Sequence, residues 1–154
     1  IIACRAASPA TEKIRQKILR QKRDAAALRS SIAEMRQKLH AAHPNTSGLF
    51  DVKHDPGGMI DVEFAVQYLV LGFSGQFAEL TGNLGNIALL RMAAERGLLA
   101  LELAERSRDA YREFRRIQHK LRLNGARYAR VAPNQVLKEM NSVKQLWQSL
   151  FTEP

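Results

Sequence analysis

The sequence predicts an all-α protein, a single helical bundle of about six helices with little or no strand. Apolar residues recur at spacings of three and four through every long segment, which is the period of a helix with one buried face. Between those segments stand helix starts and stops: Ser8-Pro9, Asp24, Pro44, Pro56-Gly57-Gly58, Gly97, Gly125 and Pro133. With 154 residues, 45% of them hydrophobic and 25% charged, the chain has the size and composition of one domain with a core.

The elements follow in order. Ser8 suits an N-cap and Pro9 the first helical position, where a missing N–H costs nothing. The helical pattern then continues to the His43-Pro44-Asn45 stop, longer than one ordinary helix. Asp24 is placed to cap a second helix from Ala25, with Arg23 at the joint. Leu28, Ile32, Met35 and Leu39 make its expected apolar stripe. Residues 44–58 are the one long irregular stretch, with Phe50–Lys53 a candidate for extended chain. A helix apolar nearly all round, and therefore central, is expected from Met59 to Phe73. Ile87, Leu90, Met92 and Ala93 predict another, closed by Gly97. Leu103, Ala110, Phe114, Ile117 and Leu121 give a long helix ending at Gly125. Val136, Met140, Val143, Trp147 and Leu150 give the last, after Pro133-Asn134.

Composition also narrows the function. The longest apolar run is about five residues, far below the ~20 that span a bilayer, and no charged-then-apolar leader opens the sequence. The expectation is a cytoplasmic protein with no membrane partner. A single cysteine, Cys4, allows no internal disulfide, and no base stands near it to make it a nucleophile. The net charge of +9 is uneven: residues 1–47 hold ten Lys or Arg against three acids. Such a face suits nucleic acid, nucleotide phosphates or an acidic partner, and equally a solvated helix surface. With 6% aromatics, none interleaved with the basic runs, a nucleic-acid-binding module is the alternative reading rather than the leading one. Histidines 40, 43, 54 and 119 form no metal-ligand array, and no metal site is expected in the chain.

The chemistry gathers in "FDVKHDPGGMIDVEFAVQYLVL", Phe50 to Leu71, where a lysine, a glycine corner and two acids precede the most apolar segment. Asp61 falls in the first helical turn, where a carboxylate can accept orphan N–H groups and is favoured by the helix dipole. Glu63 lies almost opposite, on the face of Gln67 and among apolar neighbours, and so needs a cation, a hydrogen bond or an open face. Lys53, Arg36 and Arg91 are its candidate partners. Gly57-Gly58 reads either as a plain loop-to-helix corner or as exposed N–H groups that let a phosphate approach, with Lys53 adding charge. Neither G-x-x-x-x-G-K-[ST] nor G-x-G-x-x-G occurs there.

That stretch resembles the one following the catalytic nucleotidyltransferase domain in the bacterial glutamine synthetase adenylyltransferase family, enzymes that both add and remove AMP. Phe50, Asp51, Lys53, Gly57, Gly58, Asp61, Glu63, Phe64, Gln67 and Tyr68 to Leu71 carry the likeness, and "EMRQKL" upstream and the segment ending in Trp147 extend it over essentially the whole chain. The Ile60-Asp61-Val62-Glu63 form is similar to the copy behind the C-terminal, adenylylating domain; the other copy has an Arg-Glu-Ile-Glu type sequence. The family's metal-binding acids sit in a Gly-Ser-x-x-Asp-x-Asp type motif that these residues lack. The resemblance therefore implies a C-terminal helical domain with no catalytic residue of its own, belonging to an enzyme that uses ATP and Mg²⁺. Its implied partners are glutamine synthetase, the PII signal protein, glutamine as effector and its own nucleotidyltransferase domain. Lys53, Gly57, Gly58, Asp61 and Glu63 are the expected residues facing nucleotide or that domain.

Overall fold

The computed structural model describes residues 8–82 and 84–152. Cys4, the single cysteine, and Arg5, one of the ten N-terminal cations, lie outside them. Among the described residues there are six α-helices, as the sequence leads one to expect: α1 (Pro9–Leu19), α2 (Ala25–Ala42), α3 (Met59–Phe73), α4 (Asn86–Glu95), α5 (Leu101–Leu123) and α6 (Leu137–Phe151). The strand content of the described residues is one two-residue ladder, β1 (Phe50–Asp51) antiparallel to β2 (Arg130–Val131), with Phe50 opposite Val131 and Asp51 opposite Arg130. None of these helices is long and apolar enough to cross a membrane.

The local signals act as their chemistry dictates. Ser8 Oγ accepts the N–H of Thr11 at 3.2 Å and Asp24 Oδ1 that of Ala27 at 2.7 Å, each satisfying an orphan donor of a first turn. Arg23 closes the other side of the joint: its guanidinium donates to the carbonyl oxygens of Ile18, Leu19 and Gln21, and to that of Leu71 at the far end of α3. The arginine expected at the joint thus caps α1 and ties the α1–α2 corner to the core helix.

The central position of α3 follows from its composition. Nine of its residues are buried, among them Val62 and Ala65 with no exposure, and it packs against α2, α4, α5 and α6. The long α5 lies along both α4 and α6 and inserts Phe114, fully buried, where it meets the Phe50 ring at 5.8 Å. The α6 helix adds Val143, Leu146 and Leu150, and Trp147 stacks on Phe151 at 4.1 Å.

The apolar stripe expected on α2 needs one correction. Leu28, Ile32 and Leu39 do turn inward, but Met35 is 61% exposed and Arg36 beside it only 6%. At about 100° per residue positions 35 and 36 lie equally far to either side of the seam through Ile32 and Leu39, so helical spacing alone does not choose between them. The inward place belongs to an arginine because an acid waits there.

Loss of methylenes from the core should register strongly and from Met35 hardly at all. Leu90→Ala is expected to lower stability by about 2–5 kcal/mol and Met35→Ala to change it by about 0.5 kcal/mol or less, read from urea unfolding midpoints. Comparable losses for the two would show that the α2 stripe does include Met35.

Candidate functional site

The irregular stretch between α2 and α3 folds into a tight corner in which every backbone N–H from Asp51 to Gly58 has a partner. The Val52 N–H donates to Ala129 O at 3.0 Å, extending the β1–β2 pairing, and its carbonyl accepts the Met59 N–H at 2.8 Å, so one residue joins the ladder to the start of α3. Asp51 Oδ1 accepts the N–H groups of Lys53 and His54 at 3.0 and 3.1 Å. Asp55 Oδ2 accepts the N–H of Asp51 at 2.8 Å and the side-chain amide of Asn45 at 2.7 Å. Asp51 thus closes an Asx-type turn, and Asp55 reaches back over the same five residues to the Asp51 N–H.

Beneath the corner lies a buried ion pair. Arg36 and Asp61 have side chains 7% exposed each; Arg36 Nε donates to Asp61 Oδ1 and Arg36 Nη2 donates to His54 O at 2.9 Å. The second carboxylate oxygen of Asp61 accepts the Gly57 N–H at 2.6 Å. Both oxygens are satisfied, which is the condition for a buried charge to be tolerated. The pair links α2, the loop and α3 at one point.

The two glycines are dictated by space. Gly57 has φ +92°, and a Cβ there would stand 2.9 Å from both Cγ and the carbonyl oxygen of Met140 on α6. A Cβ on Gly58 would be 2.8 Å from Val52 O and 2.9 Å from Asp55 O. Their amides are spent inside the corner, Gly57 on Asp61 and Gly58 on Asp55 O at 2.9 Å. Close backbone packing therefore accounts for the glycine pair, and these N–H groups are not aimed outward at an anion.

Glu63 lies apart from this cluster. Its partner is none of Lys53, Arg36 and Arg91: the hydroxyl of Tyr111 on α5 donates to Glu63 Oε1 at 3.1 Å while accepting from Asn86 Nδ2 at 3.0 Å. Arg36 is taken by Asp61, and Arg91 pairs along its own helix with Glu95. Burial, with the neighbouring carboxylate, pushes the Tyr111 phenol above its ordinary value, keeping it a donor. Asp61 and Glu63 thus serve opposite sides of α3, as helical geometry requires. Lys53 is partly exposed and turns toward the C-terminal turn of α5 and the segment before β2.

Residues to which the sequence gave no site role complete the site. Asn45, Asp51 and Asp55 brace the loop, and Tyr111 holds Glu63. The ring of His54 stacks on His43 at 4.4 Å, and desolvation holds His54 below its ordinary value against the opposing pull of Asp51. On the other flank, Arg36, Asp61 and Gly57 floor a groove of about 400 Å³ between α2 and α6, walled by His40, Lys144 and Trp147.

A helical bundle organised around a braced loop-to-helix corner is the class of protein that emerges, and its family is shown by sequence. The chain matches the family described as GlnD PII-uridylyltransferase over residues 12–148 and belongs to it. It is 53% identical over 142 residues to the bifunctional glutamine synthetase adenylyltransferase/adenylyl-removing enzyme of Aromatoleum aromaticum, covering 92% of this chain and 15% of that one. Proteins of the same name from Bordetella bronchiseptica and Nitrosomonas europaea are 53% and 45% identical, covering 92% and 98% of this chain. The chain spans 15% and 18% of the length of those two relatives.

The two acids should separate cleanly by mutation. Asp61→Ala, leaving Arg36 buried without its partner, is expected to cost about 3–5 kcal/mol, whereas Glu63→Ala removes one half-exposed hydrogen bond and should cost about 0.5–1.5 kcal/mol. A double-mutant cycle on Arg36 and Asp61 should show strong coupling, and one on Lys53 and Glu63 none; the reverse would overturn the assignment of partners. His54 should titrate by NMR below the ordinary 6.5. Its folded value is depressed, so the stability it contributes is present above the unfolded value and is lost as pH falls through the folded one.

Proposed function

We propose that this chain is the helical domain that follows the adenylylating nucleotidyltransferase domain of an enzyme transferring AMP from ATP to a tyrosine of glutamine synthetase, with the other half of the enzyme removing it. The observation that carries this reading is the likeness to enzymes of that name across nearly the whole chain, at 53% identity. Their name favours AMP, rather than the uridylyl group of the family description, as the group transferred.

On this reading the bundle braces or completes the adenylylating site and is not catalytic alone. Phosphoryl-type transfer rests on positioning and on neutralising charge, which acids holding Mg²⁺ and ATP on the neighbouring domain would supply. The contribution of this chain is rigidity. With Asp61 and Arg36 locked beneath it and Gly57 and Gly58 packed against α6 and the loop carbonyls, the corner holds Lys53 at a defined place beside a neighbouring nucleotide or domain. Glu63, held by Tyr111, would act on the opposite flank of α3. Glutamine synthetase is the protein substrate, and the PII signal protein and glutamine are the regulators that this enzyme class would answer to, in the cytoplasm.

The test is reconstitution. The purified 154-residue chain, given ATP, Mg²⁺ and glutamine synthetase, should transfer no AMP; the same chain joined to its nucleotidyltransferase domain should transfer AMP and not UMP. In that joined enzyme Lys53→Ala should reduce activity about tenfold or more without lowering the melting temperature, as expected of a positioned charge lost from a transferring site. AMP transfer by the chain alone, or full activity in Lys53→Ala, would overturn the reading. Tight, sequence-selective binding of duplex DNA at physiological salt would instead favour a nucleic-acid module.

A further inference from the structure

The groove of about 400 Å³ between α2 and α6, which Lys53 does not line, has the size of a small-molecule site. Its walls are largely apolar: Ala33 from α2, Pro56 and Gly57 from the corner, and Trp147 from α6. The indole of Trp147 is partly buried and gives one face to Phe151, so the rest of the ring is what the groove presents. A cleft walled by an indole favours a flat ring, which can meet it offset or edge to face.

The floor adds a polar requirement. Arg36 is only 6% exposed, and its Nε and Nη2 are spent on Asp61 and on the carbonyl oxygen of His54. Its Nη1 has no hydrogen-bond partner among the described residues, an unmet donor on a buried cation that lines the groove. His40, on the same side, has its Nδ1 buried without a partner among those residues, so no hydrogen bond at that atom fixes the ring. The charges leave a surplus of one. Asp61 offsets Arg36, while Lys144 makes no ion pair among the described residues. The groove therefore suits one negative charge carried on an apolar body. A multiply charged phosphate would bring more charge than Lys144 offsets and too little apolar surface for the walls.

We propose that this groove binds a small, free aromatic carboxylate, its ring against Trp147 and its carboxylate between Arg36 and Lys144. Binding there needs neither AMP transfer nor a neighbouring domain, so the site and the enzymatic role can fail separately.

Trp147 is the one tryptophan of the chain, so its indole N–H gives a single NMR signal that reports on this groove. Titration of the 154-residue chain with 2-naphthoate should shift that signal to saturation. 2-Naphthalenemethanol, which has the ring without the charge, and acetate and glutamine, which have the carboxylate without the ring, should each bind about tenfold or more weakly. Ala33→Leu, which fills the groove, should weaken naphthoate by about tenfold or more, and Lys144→Gln, which removes only an exposed charge, by about three- to tenfold. Lys13→Gln removes the same charge from the exposed face of α1 and should leave binding unchanged. No saturation up to roughly 10 mM, a control compound binding as tightly as naphthoate, or equal affinity in Lys144→Gln and Lys13→Gln would overturn the proposal.

Discussion

The buried pair of Arg36 and Asp61 is the constraint on which the corner depends. Each charge alone among Ile32, Val62 and the loop backbone would carry a desolvation cost of several kcal/mol; together, with His54 O accepting from Arg36 and Gly57 N–H donating to Asp61, no charge is left unsatisfied. Its directionality matters as much as its energy. Apolar side chains of similar volume could fill the space, but they would not prescribe that the carbonyl of residue 54 and the amide of residue 57 face inward. The conformation of the loop between those two residues follows from the pair.

From that point the architecture spreads outward. With residues 54 and 57 held, the Asp51 and Asp55 carboxylates close the loop on itself, and Val52 joins the β1–β2 ladder to the first turn of α3. The ladder brings Ala129 and Arg130 against Asp51, which sets the segment after α5 beside Lys53. Gly57 admits α6 to within contact of the corner, so the last helix and the loop before α3 are fitted to one another although they are far apart in sequence.

Burial by the helices and charge at the surface divide the labour. The inner faces of α3, α4, α5 and α6 supply the apolar area that drives association of the bundle, a non-directional force. The cations fall into distinct groups: Arg23 caps a helix end, Arg36 holds the corner, Arg15, Arg112 and Arg116 pair with acids three residues away, and Lys53, Arg122 and Arg127 line a small cleft with Asp51 without an ion pair of their own among the described residues. A net charge is thus a poor guide to what any one cation does, because its environment decides whether it is a cap, a lock or an unpaired surface charge.

The sequence by itself determined the helices and their ends, since capping by Ser8 and Asp24, the three-and-four spacing of apolar residues and the stops near Gly97 and Gly125 are local physics, complete within a few residues. It also marked Phe50–Leu71 as the stretch where chemistry concentrates, because acids and glycines before an apolar helix conflict with local propensity and need an outside reason. It could not name that reason. Arg36 and Asp61 are 25 positions apart, Glu63 and Tyr111 are 48, and nothing in periodicity says which arginine meets which acid. Met35 and Arg36 are likewise adjacent in the helix, and a hydrophobicity pattern prefers the methionine for the core; only the presence of Asp61 on α3 reverses the choice. The same holds for the glycine pair, read locally as a corner or a phosphate cradle, and resolved as close packing by Met140 and the Val52 and Asp55 carbonyls. Tertiary structure decided these points because pairing energies depend on distance in space, which a linear pattern does not contain.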